Sequence, residues 1–114
     1  MNLEATPREI DGIVIIDLSG RITLGEGSAL LRRMVHELLQ NGQKKIILNL
    51  ADVNYIDSSG IGELVSGFTT ARNNGGELKL LHLTKKVHDL LQITKLYTVF
   101  DVHSDERTAA ASFR

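Results

Sequence analysis

The sequence predicts an α/β fold: a mixed β-sheet, opened by an N-terminal antiparallel hairpin and continued by parallel strands, packed against about four helices. Three observations predict it. Asp11-Gly12 separates two extended-looking runs, and this dipeptide suits a type I′ turn, which needs positive φ at both central positions. Two short runs of β-branched residues and leucine, Ile46–Leu50 and Leu78–Leu83, have the pattern of strands covered on both faces. Stretches of helical period follow each of them, and a chain that alternates strand and helix gives right-handed crossovers and parallel neighbours.

The elements follow in order. Leu3 to Ile10 reads as a strand; it carries Pro7, the chain's one proline. Proline cannot donate to a ladder, so this strand is expected at a sheet edge or with an irregular start. Ile13–Leu18 pairs back onto it, and Gly20 to Gly27 is read as a loop. From Ser28 to Gln40, Leu31, Met34, Val35, Leu38 and Leu39 share one helical side, with Arg32, Arg33, His36 and Glu37 opposite. Asn41-Gly42 stops that helix.

After the Ile46–Leu50 strand, a helix from about Ser59 to Asn73 places Ile61, Leu64, Val65 and Phe68 at i, i+3, i+4 and i+7. Asn73-Asn74-Gly75-Gly76 ends it. Beyond Leu78–Leu83, a helix from Lys85 to about Ile93 buries Val87, Leu90 and Leu91. Tyr97 to Val102 is read as a last short strand. Ser104 then begins a small helix whose first turn holds Asp105 and Glu106, where acids suit the positive end of the helix dipole.

Bulk properties narrow the function classes. A chain of 114 residues is read as a single domain spanning residues 1–114, long enough for a real core. Thirteen basic residues nearly cancel fourteen acidic ones. Nucleic-acid binding needs a concentrated basic patch, and Arg32-Arg33, Lys44-Lys45 and Lys85-Lys86 are scattered pairs. The absence of cysteine removes disulfides, thiolate metal sites and cysteine nucleophiles. No apolar run has the length of a membrane span, and the N-terminus has no signal-peptide pattern. A cytoplasmic protein is the expectation.

The stretch Asn54–Glu63, NYIDSSGIGE, holds the candidate site. It lies between the carboxyl end of a strand and the amino end of a helix, where ligands and functional loops gather in α/β sheets. A nucleophilic serine is disfavoured: neither Ser58 nor Ser59 has the Gly-x-Ser-x-Gly elbow, and His36, His82, His88 and His103 are scattered. Gly60-Ile61-Gly62 is too short for a Walker loop and lacks its lysine, so no nucleotide cofactor is expected. Histidines and acids show no metal-ligand spacing.

Helix capping is the first reading of Asp57-Ser58-Ser59, since Asp and Ser are leading N-cap residues. Phosphorylation is the second. A phosphoserine at a helix N-terminus brings roughly −1.5 to −2 charges into a favourable dipole, and the same charge on a docking surface ejects a partner.

The stretch Ile46–Val65, IILNLADVNYIDSSGIGELV, resembles the central signature of STAS domains, specifically the anti-sigma factor antagonists. The resemblance extends through D17-L-S-G-R-I22, G75-G-E-L-K-L-L and L90-L-Q-I-T-K-L-Y-T-V-F100, nearly the whole chain. It implies a STAS-like fold and a non-enzymatic partner of an anti-sigma factor of the histidine-kinase-like ATPase type. That partner phosphorylates a serine of the motif, and a PP2C-type phosphatase reverses the modification.

The phosphorylated hydroxyl in that pattern directly precedes the first glycine, which is Ser59 here. By the same resemblance Ser58 is a cap or local hydrogen-bond partner, Asp57 orients the loop, and Gly60 and Gly62 belong to the motif. Ile61 and Leu64 form a hydrophobic edge beside the serine. One departure stands out: antagonists commonly carry Gly-x-hydrophobic-Asp after the second strand, and this chain has Gly20-Arg21-Ile22-Thr23. Thr23 therefore replaces an acid expected near the phosphosite. The rival is a STAS scaffold or sensor binding protein partners or a small ligand outside any sigma-factor pathway; a small serine hydrolase stays formally open.

Overall fold

The computed structural model describes residues 3–113. Its strands are β1 (Glu4–Ile10), β2 (Ile13–Ile22), β3 (Lys45–Ile56), β4 (Glu77–Leu81) and β5 (Val102–His103). The helices are α1 (Glu26–Gln40), α2 (Ser58–Asn73), α3 (Lys85–Ile93) and α4 (Glu106–Ala111). The five strands form one sheet in the order β1-β2-β3-β4-β5. β1 and β2 are antiparallel, and every later pair is parallel. Asp11 (φ 54°) and Gly12 (φ 81°) both take positive φ, as a type I′ turn requires. β1 is an edge strand, which accounts for its tolerance of Pro7.

Side chains alternate across the sheet, so each strand serves two cores. Val14, Ile16, Ile46, Leu48 and Leu80 join residues from α1, α2 and α3 in the larger core. Ile13, Ile15, Ile47 and Leu81 point the other way and meet Ala109 and Phe113 of the C-terminal segment. The short helix α4 therefore covers a patch that the three longer helices leave open.

Several boundaries differ from the sequence expectation. β2 runs to Ile22 rather than Leu18, and α1 starts at Glu26 rather than Ser28. The expected loop from Gly20 shrinks to Thr23–Gly25, with Gly25 (φ 101°) preceding the helix. β3 continues from Leu50 to Ile56, and β4 ends at Leu81 rather than Leu83. Tyr97–Val102 is not one strand: Tyr97–Val99 is a 3₁₀ turn and only Val102–His103 pairs with β4. Phe100 is buried in a core cluster and meets the Phe68 ring edge-on, so its apolar character serves packing rather than a ladder. The last helix begins at Glu106, capped by Asp105 rather than Ser104.

Polar clasps hold α4 at both ends. At its start, Arg8 donates from Nη2 to Glu106 (2.7 Å) and from Nε to Asp17 (2.7 Å). Beyond its end, the buried Lys79 donates to the Ser112 carbonyl (3.1 Å) and hydroxyl (2.8 Å).

Arg8 holds Asp17 and Glu106 below their ordinary carboxylate values of 3.8 and 4.5. A carboxylate with a depressed folded-state pKa stabilises above its unfolded value and loses that contribution as pH falls through the folded one. Thermal stability will therefore fall as pH drops below about 5 and continue falling past 4. In Arg8→Ala the decline will be shallower than in the wild type, measured by scanning calorimetry from pH 6 to 3. Equal slopes would remove the clasp from the account.

Candidate functional site

Asp57 organises the site. It is extended (φ −108°, ψ −175°) and caps α2: its Oδ1 accepts from the Gly60 N–H at 2.9 Å. Its Oδ2 accepts from the Leu24 N–H at 3.2 Å, and its own N–H donates to the Ile22 carbonyl at 3.3 Å. The turn after β3 is thus joined to the segment after β2 through one side chain and one backbone bond. Bonds from the Gly60 and then the Leu24 N–H hold the Asp57 carboxyl below its usual range. The charged form is the one that closes the turn.

Ser58 and Ser59 occupy the first turn of α2, Ser58 exposed and Ser59 half-buried. The helix starts one residue earlier than expected, and the side-chain cap is Asp57, not Ser58. Thr23 lies in the adjoining loop, where its carbonyl accepts from the Ser28 N–H (3.1 Å) and hydroxyl (2.9 Å). Its contribution to the loop runs through the backbone.

Ile61 and Leu64 are buried, Leu64 completely, and both belong to the larger core. The expected hydrophobic edge beside Ser59 is not built from them. Two other residues supply exposed apolar surface at this end of the sheet. Leu24 is 79% exposed, on the segment bonded to Asp57, and Tyr55 stands near the end of β3. The Arg21 guanidinium lies 4.4 Å from the Tyr55 ring centroid and the Lys86 ammonium 5.6 Å from it. Neither cation has a carboxylate partner among the described residues. A leucine within a glycine-rich loop is the sequence signal for Leu24; Tyr55 belongs to the signature but carries no signal of its own.

The glycines of the motif divide sharply. A Cβ on Gly60 would lie 2.2 Å from the Ile22 carbonyl oxygen, while one on Gly62 would meet nothing within 4 Å. Gly60 is required by the close approach of α2 to the end of β2. Gly62 is exposed within the helix and weakens it by roughly 1 kcal/mol relative to alanine. Gly62→Ala will raise stability by about that amount in urea denaturation; a destabilised variant would mean that the backbone there is not free.

Glu63 is buried at 7% side-chain exposure and paired with Arg32 of α1, whose side chain is 58% exposed. Arg32 donates from Nη2 to Oε1 at 2.8 Å and from Nε to Oε2 at 3.3 Å. This fork fixes α1 against α2 one turn beyond Ser59. Among the described residues, no cluster of three acids or histidines is placed to hold a metal, and no helix is long and apolar enough to cross a membrane.

A mixed sheet of this order, with a capped serine turn where β3 hands over to α2, matches a known class. The STAS domain family model matches residues 4–109, and the chain belongs to that family. Its relatives include the anti-sigma F factor antagonist of Paenibacillus polymyxa, 28% identical over 96% of this chain and 93% of the relative. The anti-sigma-B factor antagonist of Bacillus subtilis is 28% identical over 90% of this chain and 92% of its own length.

Among solved structures, a candidate anti-sigma factor antagonist from Thermotoga maritima superposes with a TM-score of 0.86 at 27% identity. It covers 95% of this chain and is covered over 92% of its own. SpoIIAA in its unphosphorylated form, at 19% identity, shares the fold with a TM-score of 0.73 over 97% of this chain and 98% of its own.

Proposed function

We propose that this chain is an anti-sigma factor antagonist, switched by phosphorylation of Ser59. It captures an anti-sigma factor of the histidine-kinase-like ATPase type and so frees a sigma factor for transcription. The captured kinase phosphorylates Ser59, and a PP2C-type phosphatase restores the free hydroxyl. The observation that carries this reading is the placement of Ser59: half-buried in the first turn of α2 beside exposed Ser58, on a turn held by Asp57, at the same sheet end as exposed Leu24.

The physics suits a switch without refolding. A phosphate near unpaired N–H groups at a helix start is favoured by the helix dipole, so the fold tolerates it. The same dianion in a docked surface must be desolvated and repels nearby acids, so the partner leaves. The small exposed residues Ser58 and Gly62 keep the surface around Ser59 low enough for a kinase to reach it, while Gly60 lets the turn lie close against β2. Thr23 brings a neutral hydroxyl where antagonists commonly carry an acid. That substitution favours the rival reading, a STAS scaffold or sensor outside a sigma-factor pathway.

Ser59→Ala will fold normally, take no phosphate from the cognate anti-sigma kinase, and stay bound to it. Ser59→Glu will bind the kinase at least ten-fold more weakly by titration calorimetry, about 1.4 kcal/mol. Phosphate found by mass spectrometry on the alanine variant would move the site elsewhere. Unchanged affinity of the glutamate variant would remove charge ejection as the mechanism.

A further inference from the structure

We infer that Arg32 is an internal receptor for the phosphate on Ser59, sharing its guanidinium between the phosphoryl oxygens and Glu63. The inference rests on the reading of Ser59 as a modified residue and assigns what the modification meets inside the molecule. Ser59 and Glu63 are four residues apart on α2 and so share one side of that helix. Glu63 is buried on that side and held by Arg32 across the α1–α2 crevice.

Both helices follow parallel strands, so they run side by side in the same sense. Helical side chains lean toward the N-terminus of their own helix. Arg32 and Glu63 therefore both lean toward the turn that carries Ser59. A phosphate on that turn brings about −1.5 to −2 charges to within one helical turn of a buried carboxylate. The phosphate repels that carboxylate, as it does the Asp57 carboxylate two residues away, and a cation at the crevice lowers the cost.

Arg32 has the capacity for both. A guanidinium presents five N–H donors in a rigid fork. Glu63 takes one from Nε and one from Nη2, leaving Nη1 and the remaining Nη2 hydrogen without protein acceptors among the described residues. The 58% exposure of the Arg32 side chain gives it room to turn. Other cations nearby are placed differently. Arg33 lies toward Leu3, Glu26 and Leu30, and Arg21 and Lys86 sit over Tyr55. His36 borders the same crevice but is one turn farther from the N-terminal end.

The test installs phosphoserine at position 59 during translation, by suppression of an amber codon, so that no kinase is involved. The second ionisation of the phosphate is then followed by phosphorus NMR titration. In the otherwise wild-type protein it will lie about half a pH unit below that in Arg32→Gln, since a nearby cation favours the dianion. Arg33→Gln will leave the titration where it is in the wild type.

Because Arg32→Gln strips a buried carboxylate of its partner, the comparison is repeated in a Glu63→Gln background, where no buried carboxylate is left unpaired. Titrations that coincide with and without Arg32 in that background would overturn the inference. So would an Arg33→Gln shift equal to that of Arg32→Gln, which would reduce the effect to net charge. Neither result bears on whether a kinase uses Ser59.

Discussion

Gly60→Ala will cost about 3 kcal/mol or more and lower Tm by on the order of 15 °C. The added methyl would lie 2.2 Å from the Ile22 carbonyl oxygen and 2.6 Å from Cγ1 of Ile56. The oxygen belongs to backbone and cannot retreat freely: Ile22 is paired with Ile56 at the end of the β2–β3 ladder and accepts from the Asp57 N–H. Relief must come from moving α2 outward, which breaks the bond between Asp57 and Gly60 that starts the helix. Calorimetric unfolding of Gly60→Ala beside Gly62→Ala separates close approach from helix propensity, because the two changes are chemically identical two residues apart. A fall in Tm of only a few degrees for Gly60→Ala would show that the approach is looser than the geometry has it.

Leu64→Ala will cost about 2–5 kcal/mol, with loss of cooperativity at the low-stability end. Leu64 has no exposed surface and packs in the larger core between α2 and the sheet. Truncation removes the transfer free energy of the missing carbons and leaves a cavity that the surrounding strands cannot close. The same substitution at a surface contact would shift stability by less than about 0.5 kcal/mol and act on binding alone. Urea unfolding therefore decides between the edge role expected of Leu64 and the core role its burial assigns. A midpoint unchanged within error would return it to the surface.

The order of strands and helices was legible because each relies on local period: alternation or dense apolar runs for strands, i/i+3/i+4 spacing for helices. The errors have physical causes. Ala51, Asp52 and Asn54 lie beyond the expected strand, yet β3 carries them as exposed positions of its distal half, which pairs with β2 through shifts in register. Tyr97, Val99 and Phe100 have strand-forming side chains, but the Val99 N–H is satisfied by the Leu96 carbonyl in a turn.

At the candidate site, the motif located the turn and left its cap between Asp57 and Ser58, since the bond from Gly60 to Asp57 spans only three residues. What spans the chain was hidden. The bond from Leu24 to Asp57 joins positions 33 apart, and the fork from Arg32 to Glu63 joins positions 31 apart. Nothing in either segment alone announces its partner. Arg32 read as a solvated residue on the outer side of α1, and Glu63 carried no signal of burial.

The two edges of the sheet bear on how a partner can be gained and lost. One edge strand has Pro7 in its middle, and the other consists of only Val102 and His103. A visiting strand finds an interrupted donor row on one side and almost no row on the other. Association must then use side-chain surfaces rather than an extended backbone ladder. A ladder spreads its hold over many equivalent bonds and is indifferent to one added charge. A side-chain interface concentrates its hold in a few contacts, and a single phosphate can undo it. The poor edges therefore do more than discourage aggregation: under the proposed function, they leave a partner only the kind of hold that one charge can release.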